Sequence, residues 1–226
     1  MAEQYGIDLE QFSLEEFRRV LESGDLLPSR VVLREEIAGR FAALEAMGIG
    51  NVKQLVDALS TRKKLEQFAQ ESGLPQDYLV ILRRQARSYI PGPVYLKDIP
   101  GVDPAHVERL AATGVKQTKQ LFARTLTADD RAELSRQADV PGEALLELVK
   151  MADVARAGGV GPVFVRMLQE AGADTLEALS QQSPDALYEK LLAVNDEQGL
   201  TKASFSVKDV ASCIETAKAL PKVIEY

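Results

Sequence analysis

The chain has 226 residues, of which 46% are hydrophobic, so it is long enough for one large packed domain or two of ordinary size. Its formal net charge of -7 argues against a protein coated in positive potential, the usual property of a strong nonspecific nucleic-acid binder. The single cysteine, Cys213, excludes an intramolecular disulfide framework. Because we find neither a secretory leader nor an apolar run of about 18 residues, we expect a cytoplasmic protein with no membrane partner.

Charge is distributed unevenly along the chain. Residues 83–124 contain 8 Lys and Arg against 3 Asp and Glu, whereas residues 1–82 contain 9 against 14 and residues 125–226 contain 10 against 17. Two interpretations stay open: the basic helices pair with acidic neighbours, or they form a surface that faces an anion.

The first predicted element is a helical arm formed by residues 1–35. Ser13 and Glu16 have the spacing of a capping box, which predicts a helix that ends at Gly24. A second, long helix is predicted to begin at Pro28 and to run towards Met47.

Residues 36–90 form the first of three related units. At an offset of 66 residues, 41–86 align without gaps on 107–152. Identical residues meet at the positions of Leu44, Ala46, Gly48, Lys53, Gln54, Leu55, Thr61, Pro75, Leu79, Leu82 and Ala86. At an offset of 58, the second unit matches the third at Gly101, Val102, Pro104, Val107, Leu110, Gly114 and Leu121.

A proline-rich joint separates the first unit from the second. Pro91, Gly92 and Pro93 fall in this stretch, and prolines remove backbone donors and fix φ. We therefore predict an extended joint at residues 91–98, with a domain boundary there.

Residues 99–226 are predicted to hold the second and third units and a carboxyl-terminal helix. Asp103 is an N-cap for the helix that Gly114 closes, and Gly48 and Gly172 occupy the closing position in the other units. Further helices are predicted at 127–137, 141–155 and 206–220. Their apolar residues recur at helical spacing, and no segment alternates as a strand.

A glycine turn precedes a predicted helix at residues 158–162, and a related turn lies at residues 99–103. The sequence Gly159-Val160-Gly161 resembles the Gly-hydrophobic-Gly turn of helix-hairpin-helix modules, such as those of DNA repair proteins and of the carboxyl-terminal domain of the RNA polymerase α subunit. The resemblance implies exposed backbone N–H groups at a helix start that can approach a phosphate.

The wider layout is similar to an uncharacterised prokaryotic family of tandem helix-hairpin-helix repeats, a domain of unknown function. This resemblance spans most of the chain and is carried by Leu27-Pro28-Ser29-Arg30, Gly159-Val160-Gly161-Pro162 and Ile224-Glu225-Tyr226. It implies an all-α fold of tandem helix-hairpin-helix-like repeats, which we expect to form two packed lobes. It implies no particular activity.

Two of the three turns depart from the helix-hairpin-helix pattern. Asp103 stands in place of the second glycine, and residues 35–37 contain two acids and no glycine. A carboxylate at this position would repel a phosphate.

The turns therefore have two interpretations: their glycines only allow the repeats to stack, or they bind a nucleic-acid backbone. In the second case the binding residues are predicted to be Gly159, Val160, Gly161, Arg166, Gly101, Arg109, Lys116 and Lys119. Arg156 is a further cation beside the third-unit turn. Arg83, Arg84 and Arg87 end a predicted helix, where cations stabilise the carbonyl end of the dipole. The other interpretation is that they form a basic stripe beside the proline-rich joint, with Lys97 and the cations after Gly101.

Catalysis finds little support in the sequence. One histidine, His106, and one cysteine, Cys213, form neither a metal cluster nor a triad, so we expect no enzyme, no metal and no cofactor. We predict a non-catalytic helical binding module, a protein-interaction or scaffold element with an unidentified protein partner and an open oligomeric state. The alternative is binding of a DNA or RNA backbone through the turns.

Overall fold

The computed structural model describes residues 5–24 and 26–226, and within them every regular element is helical apart from two isolated β-bridges. The all-α prediction is therefore confirmed. The helices of residues 7–90 are α1 Leu14–Ser23, a 3-10 helix Pro28–Arg34, α2 Ile37–Ala46, α3 Val52–Ala58, α4 Arg62–Ser72 and α5 Gln76–Arg87. Those of residues 91–226 are a 3-10 helix Leu96–Asp98, α6 Pro104–Ala112, α7 Thr118–Phe122, α8 Ala128–Ala138, α9 Gly142–Val154, α10 Pro162–Glu170, α11 Leu176–Ser180, α12 Pro184–Gln198 and α13 Val207–Ala219.

Contacts divide the chain into two compact units. The first, which we call the amino-terminal unit, holds residues 7–90. The second, the carboxyl-terminal unit, holds residues 91–226 together with Tyr5 and Gly6.

The core of the amino-terminal unit includes the segment that we described as an arm. Phe17 and Leu21 of α1 are fully buried in the same apolar cluster as Phe41 of α2. Burying an aromatic or leucine side chain contributes about 1.5–3 kcal/mol. The predicted capping box of α1 is confirmed, since the Ser13 side chain accepts from the N–H of Glu16 and the Glu16 carboxylate accepts from that of Ser13.

The prediction of one long helix from Pro28 to Met47 is wrong. A 3-10 helix and α2 occupy this stretch, and Glu36 between them has a left-handed φ of 48°. Arg34 donates from Nε to the backbone oxygen of Leu21 at 2.8 Å, which ties the 3-10 segment to the end of α1. This tertiary contact overrides the local helical pattern.

The helices of the first repeated unit, residues 36–90, recur at the predicted offset of 66 residues. α4 covers 62–72 and α8 covers 128–138, so their bounds differ by 66 residues at both ends. Thr61 and Thr127 cap these two helices through the same bond, from the N–H three residues later to the threonine Oγ1. The same local chemistry therefore produces the same element twice.

The predicted closing glycines are confirmed. Gly48, Gly114 and Gly172 have φ values of 81°, 90° and 74°, a region that residues with a Cβ rarely adopt. In each case the residue after the glycine donates back to a carbonyl five residues earlier, as Val115 does to Leu110 at 3.0 Å.

The proline-rich joint is extended only in part. Residues 96–98 form a 3-10 helix, which corrects our expectation for this end of the segment. Val94 and Leu96 are apolar and buried. Their backbone groups are bonded to residues at the start of α7. The N–H of Thr118 donates to the backbone oxygen of Val94 at 2.8 Å, and the N–H of Leu96 donates to the backbone oxygen of Lys116 at 3.0 Å. Burial and these bonds fix the segment to the carboxyl-terminal unit.

Candidate anion-binding sites

The two glycine turns of the carboxyl-terminal unit have the same backbone design. Gly101 and Gly159 have φ values of 75° and 81°, so both occupy the left-handed region. Each turn leads into an N-cap residue, Asp103 before α6 and Gly161 before α10, followed by a proline in the first turn of the helix.

The two N-cap residues differ in what they leave available. The Asp103 carboxylate accepts the backbone N–H of Ala105 at 2.8 Å, so a side chain of the chain itself occupies one of the free donors at the start of α6. Gly161 makes no side-chain cap, has an ordinary φ of -91°, and a Cβ built on it would meet no atom within 4 Å. The fold therefore does not require glycine at position 161.

Arg166 is brought to the second-unit turn. A Cβ on Gly101 would lie 3.4 Å from the Arg166 guanidinium. The same guanidinium is paired with two carboxylates, Glu147 at 3.0 Å and Glu170 at 2.6 Å, and its side chain is only 20% exposed. Its charge is thus compensated within the chain.

The other predicted cations lie on α6 and around α7. Arg109 donates to the backbone oxygen of Asp139 at 2.6 Å and lies 3.3 Å from its carboxylate. Lys116, before α7, and Lys119, within α7, are exposed. Val160 of the third-unit turn is buried, so the exposed part of that turn is Gly159.

Arg156, which the sequence suggested as a cation beside the turn, is fully buried, so it is not available to a phosphate. Its guanidinium is bonded to Asp153 at 2.7 Å and to the backbone oxygens of Tyr5 at 2.9 Å and Pro221 at 2.7 Å. It also lies over the ring of Phe122, 4.6 Å from the centroid. Arg156 thus joins both ends of the carboxyl-terminal unit to its core.

A different group of cations lies in the amino-terminal unit. α5 presents one face formed by residues at helical spacing, and the 3-10 helix before α2 supplies one further arginine. They line a shallow cleft of about 390 Å³. We call it the arginine cleft; its lining residues are Arg30, Val80, Arg83, Arg84, Arg87 and Ser88.

Two arginines of this cleft, Arg30 and Arg83, are held by neutral groups. Arg30 donates from Nη1 to Oε1 of Gln85 at 2.5 Å and lies 3.5 Å from Oγ of Ser88. Arg83 donates to the backbone oxygen of Leu59 at 3.1 Å. Burial lowers the pKa of Arg30 from its usual value, and the nearby charge of Arg84 lowers it further.

No carboxylate of the described residues forms an ion pair with any arginine of the cleft. Sequence reasoning found three of these arginines, as cations at a helix end, and missed Arg30. Its contribution depends on the packing of the 3-10 helix against α5, and no local pattern indicates that packing.

The fold and these sites define an all-helical protein that carries a basic cleft. Residues 100–220 match the model of the family described as Domain of unknown function (DUF4332), which covers more than half of the chain. The chain therefore belongs to this family. The comparisons with curated proteins and with solved structures gave no match.

Among the described residues, no helix has the length and apolar character needed to cross a bilayer. Within the same residues, no three His, Cys, Asp or Glu side chains come together as ligands for a metal ion.

Proposed function

We propose that this protein is a non-catalytic binding module of tandem helix-hairpin-helix-like repeats, arranged in two lobes, that acts as a cytoplasmic protein-interaction or scaffold element. The observation that carries the proposal is the pairing of Arg166 with Glu147 and Glu170 beside the glycine turns. Arg156 is also buried, so the two cations closest in sequence to the third-unit turn are both engaged within the chain. The role of the turns is then to let helices stack, and stacked repeats present long surfaces to a partner.

The repeat architecture supports the helix-hairpin-helix part of the proposal. Gly101 and Gly159 both adopt a left-handed φ immediately before a helix that opens with a proline. A prokaryotic family of such repeats is the relationship that we infer from this layout.

The non-catalytic part rests on the side chains that could act as nucleophile or base. Burial raises the pKa of the Cys213 thiol to about 12, so a thiolate does not form at neutral pH. The carboxylate of Asp103 lies 3.9 Å from Nε2 of His106, which is too far for the hydrogen bond that would orient the histidine as a base.

Binding of a nucleic-acid backbone at the third-unit turn is the second candidate, and Gly161 favours it. Since neither φ nor packing requires glycine there, close approach of a phosphate would explain its absence of a side chain.

Gly161→Asp separates the two candidates without disturbing the fold, because the sister position 103 carries Asp as a working N-cap. Gly161→Ser is the neutral control. We expect the native chain to bind neither labelled duplex nor single-stranded DNA or RNA at low salt. The nucleic-acid function would be established instead by binding that meets three conditions. It falls steeply with salt, it survives in Gly161→Ser, and it is lost in Gly161→Asp.

The protein-interaction role itself is tested with the tagged chain purified from its source cells after nuclease treatment. We expect a partner protein at fixed stoichiometry, measured as the mass of the complex by light scattering. A chain that elutes without any protein partner under these conditions, and after chemical cross-linking in the cells, would contradict the proposal.

A further inference from the structure

We propose that the arginine cleft of the amino-terminal unit binds a small molecule that carries two or three phosphate groups. The cleft is lined by four arginines from two elements, Arg30 from the 3-10 helix and the others from α5. This site belongs to the amino-terminal unit and the glycine turns belong to the carboxyl-terminal unit, so the proposal does not depend on the function given to the turns.

The first support is that two of the four arginines are held in place by groups that do not neutralise them. Arg30 is held by the amide oxygen of Gln85, which is itself 7% exposed and donates to Tyr89 Oη at 3.3 Å. Arg83 is held by a backbone carbonyl. Neutral acceptors fix the direction of a guanidinium but leave its charge, so the protein presents preorganised cations to an incoming anion.

The second support is the contrast with the other arginines of this unit. Four of the other five, Arg18, Arg19, Arg40 and Arg62, each pair with a glutamate, and the fifth, Arg34, donates to the backbone oxygen of Leu21. Arg84 lies close enough to Arg30 for its charge to lower the pKa of Arg30. Among the described residues, none of the arginines of the cleft pairs with a glutamate. Like charges held together repel, and a bound anion removes this repulsion.

Stabilisation of the helix end explains part of this pattern. Arg84 and Arg87 lie in the last turn of α5, where cations interact favourably with the carbonyl end of the dipole. Arg30 belongs to another element, and its guanidinium is partly removed from water in the cleft. The dipole of α5 does not explain why this cation is buried there. A ligand shared between the two elements accounts for all four.

The size and charge of the cleft select the ligand class. About 390 Å³ is within the range of small-molecule sites, roughly 300–1,000 Å³. Guanidinium groups bind phosphate oxygens in pairs, so four of them match two or three linked phosphates better than one. The unit as a whole contains 12 Lys and Arg against 13 Asp and Glu, which does not provide the broad positive surface that a nucleic-acid duplex needs.

The test uses the full chain and three probes: inorganic triphosphate, pyrophosphate and monophosphate, titrated by calorimetry at constant ionic strength. We expect triphosphate and pyrophosphate to bind at least tenfold more tightly than monophosphate. The double variant that combines Arg84→Gln with Arg87→Gln is expected to weaken pyrophosphate binding by tenfold or more, because it removes two of the four guanidinium groups. Both side chains are exposed, so their loss leaves the core intact. Arg30→Lys, which keeps the charge but removes the planar fork, is expected to lose part of the affinity.

Arg62→Gln is the matched control, since Arg62 is an exposed arginine of the same unit that is paired with Glu66. It is expected to bind pyrophosphate as the native chain does. Three results would each overturn the proposal. The first is that pyrophosphate does not bind, and the second is that Arg62→Gln loses as much affinity as the double variant. The third is that a labelled DNA duplex binds more tightly than triphosphate and that its binding depends on Arg84 and Arg87. The last result would assign the cleft to nucleic acid.

Discussion

The guanidinium of Arg156 and the carboxylate of Asp153 form an ion pair at 2.7 Å, with side chains that are 0% and 5% exposed. The same carboxylate accepts the backbone N–H of Leu176 at 2.8 Å and the hydroxyl of Tyr226 at 2.9 Å. A single buried pair therefore connects α9 to the start of α11 and to the carboxyl-terminal residue.

Arg156→Met is expected to lower the free energy of unfolding by about 3–5 kcal/mol, because it leaves the Asp153 carboxylate buried without its cation. Urea denaturation measures the loss. Arg136→Met is the control, since Arg136 forms an exposed pair with Glu133 in the same unit, and exposed pairs contribute little. If Arg156→Met and Arg136→Met cost the same, the buried pair does not stabilise the unit.

The Tyr78 hydroxyl leads to a prediction about alkaline pH. Burial raises the pKa of Tyr78 to about 12, from a usual value of 10.0. Between these two values the unfolded chain loses its phenolic proton and the folded chain keeps it, so the free energy of unfolding is unaffected by this group below pH 10 and falls as the pH rises towards 12. A tenfold difference in proton affinity between the folded and unfolded chains corresponds to about 1.4 kcal/mol of stability.

Tyr78→Phe is expected to flatten this loss, measured as the urea midpoint at pH 8, 10 and 11. At neutral pH the variant should be as stable as the native chain or slightly more so, since the Tyr78 hydroxyl is buried and has no hydrogen-bond partner among the described residues. The ring itself stays in place under the Arg40 guanidinium. An unchanged slope between pH 10 and 11 would show that Tyr78 does not titrate as its burial requires.

The sequence was most informative where structure is decided by neighbouring residues. The caps at Ser13 and Thr127 and the closing turn at Gly114 follow from hydrogen bonds within one turn of helix, and all three are predicted correctly. The break at Glu36 is missed because Arg34 reaches a carbonyl of another helix. Local pattern cannot report a bond of that kind.

The candidate sites were less predictable for the same reason. Whether a cation is available depends on what packs around it: Arg156 is predicted as a turn cation and is buried, whereas Arg30 has no predicted role and lines the cleft. Both outcomes depend on partners distant in sequence, Tyr5 for Arg156 and Gln85 for Arg30. Charge counts along the chain do not contain this information.

The caps at Thr61 and Thr127 are predicted to contribute equally to the stability of α4 and of α8. Thr61→Ala and Thr127→Ala each remove one N-cap bond at the start of helices with matching bounds, so each is expected to cost about 1 kcal/mol. Thr61→Ser and Thr127→Ser, which keep the hydroxyl, should restore most of the loss. Hydrogen exchange of the first-turn amides of α4 and α8 reports each cap separately. A loss confined to one of the two helices would show that their caps are not equivalent.

The third-unit turn allows one substitution to be compared at two neighbouring glycines. Gly159 has a φ of 81°, so Gly159→Ser forces a Cβ into the left-handed region and is expected to cost about 1–2 kcal/mol. Gly161 has a φ of -91° and open space around its missing Cβ, and serine is a favoured N-cap, so Gly161→Ser should be neutral or stabilising by a few tenths of a kcal/mol. Thermal unfolding of both variants checks the order. A destabilised Gly161→Ser would mean that the fold needs glycine there after all, and the absent side chain would then no longer favour an approaching phosphate.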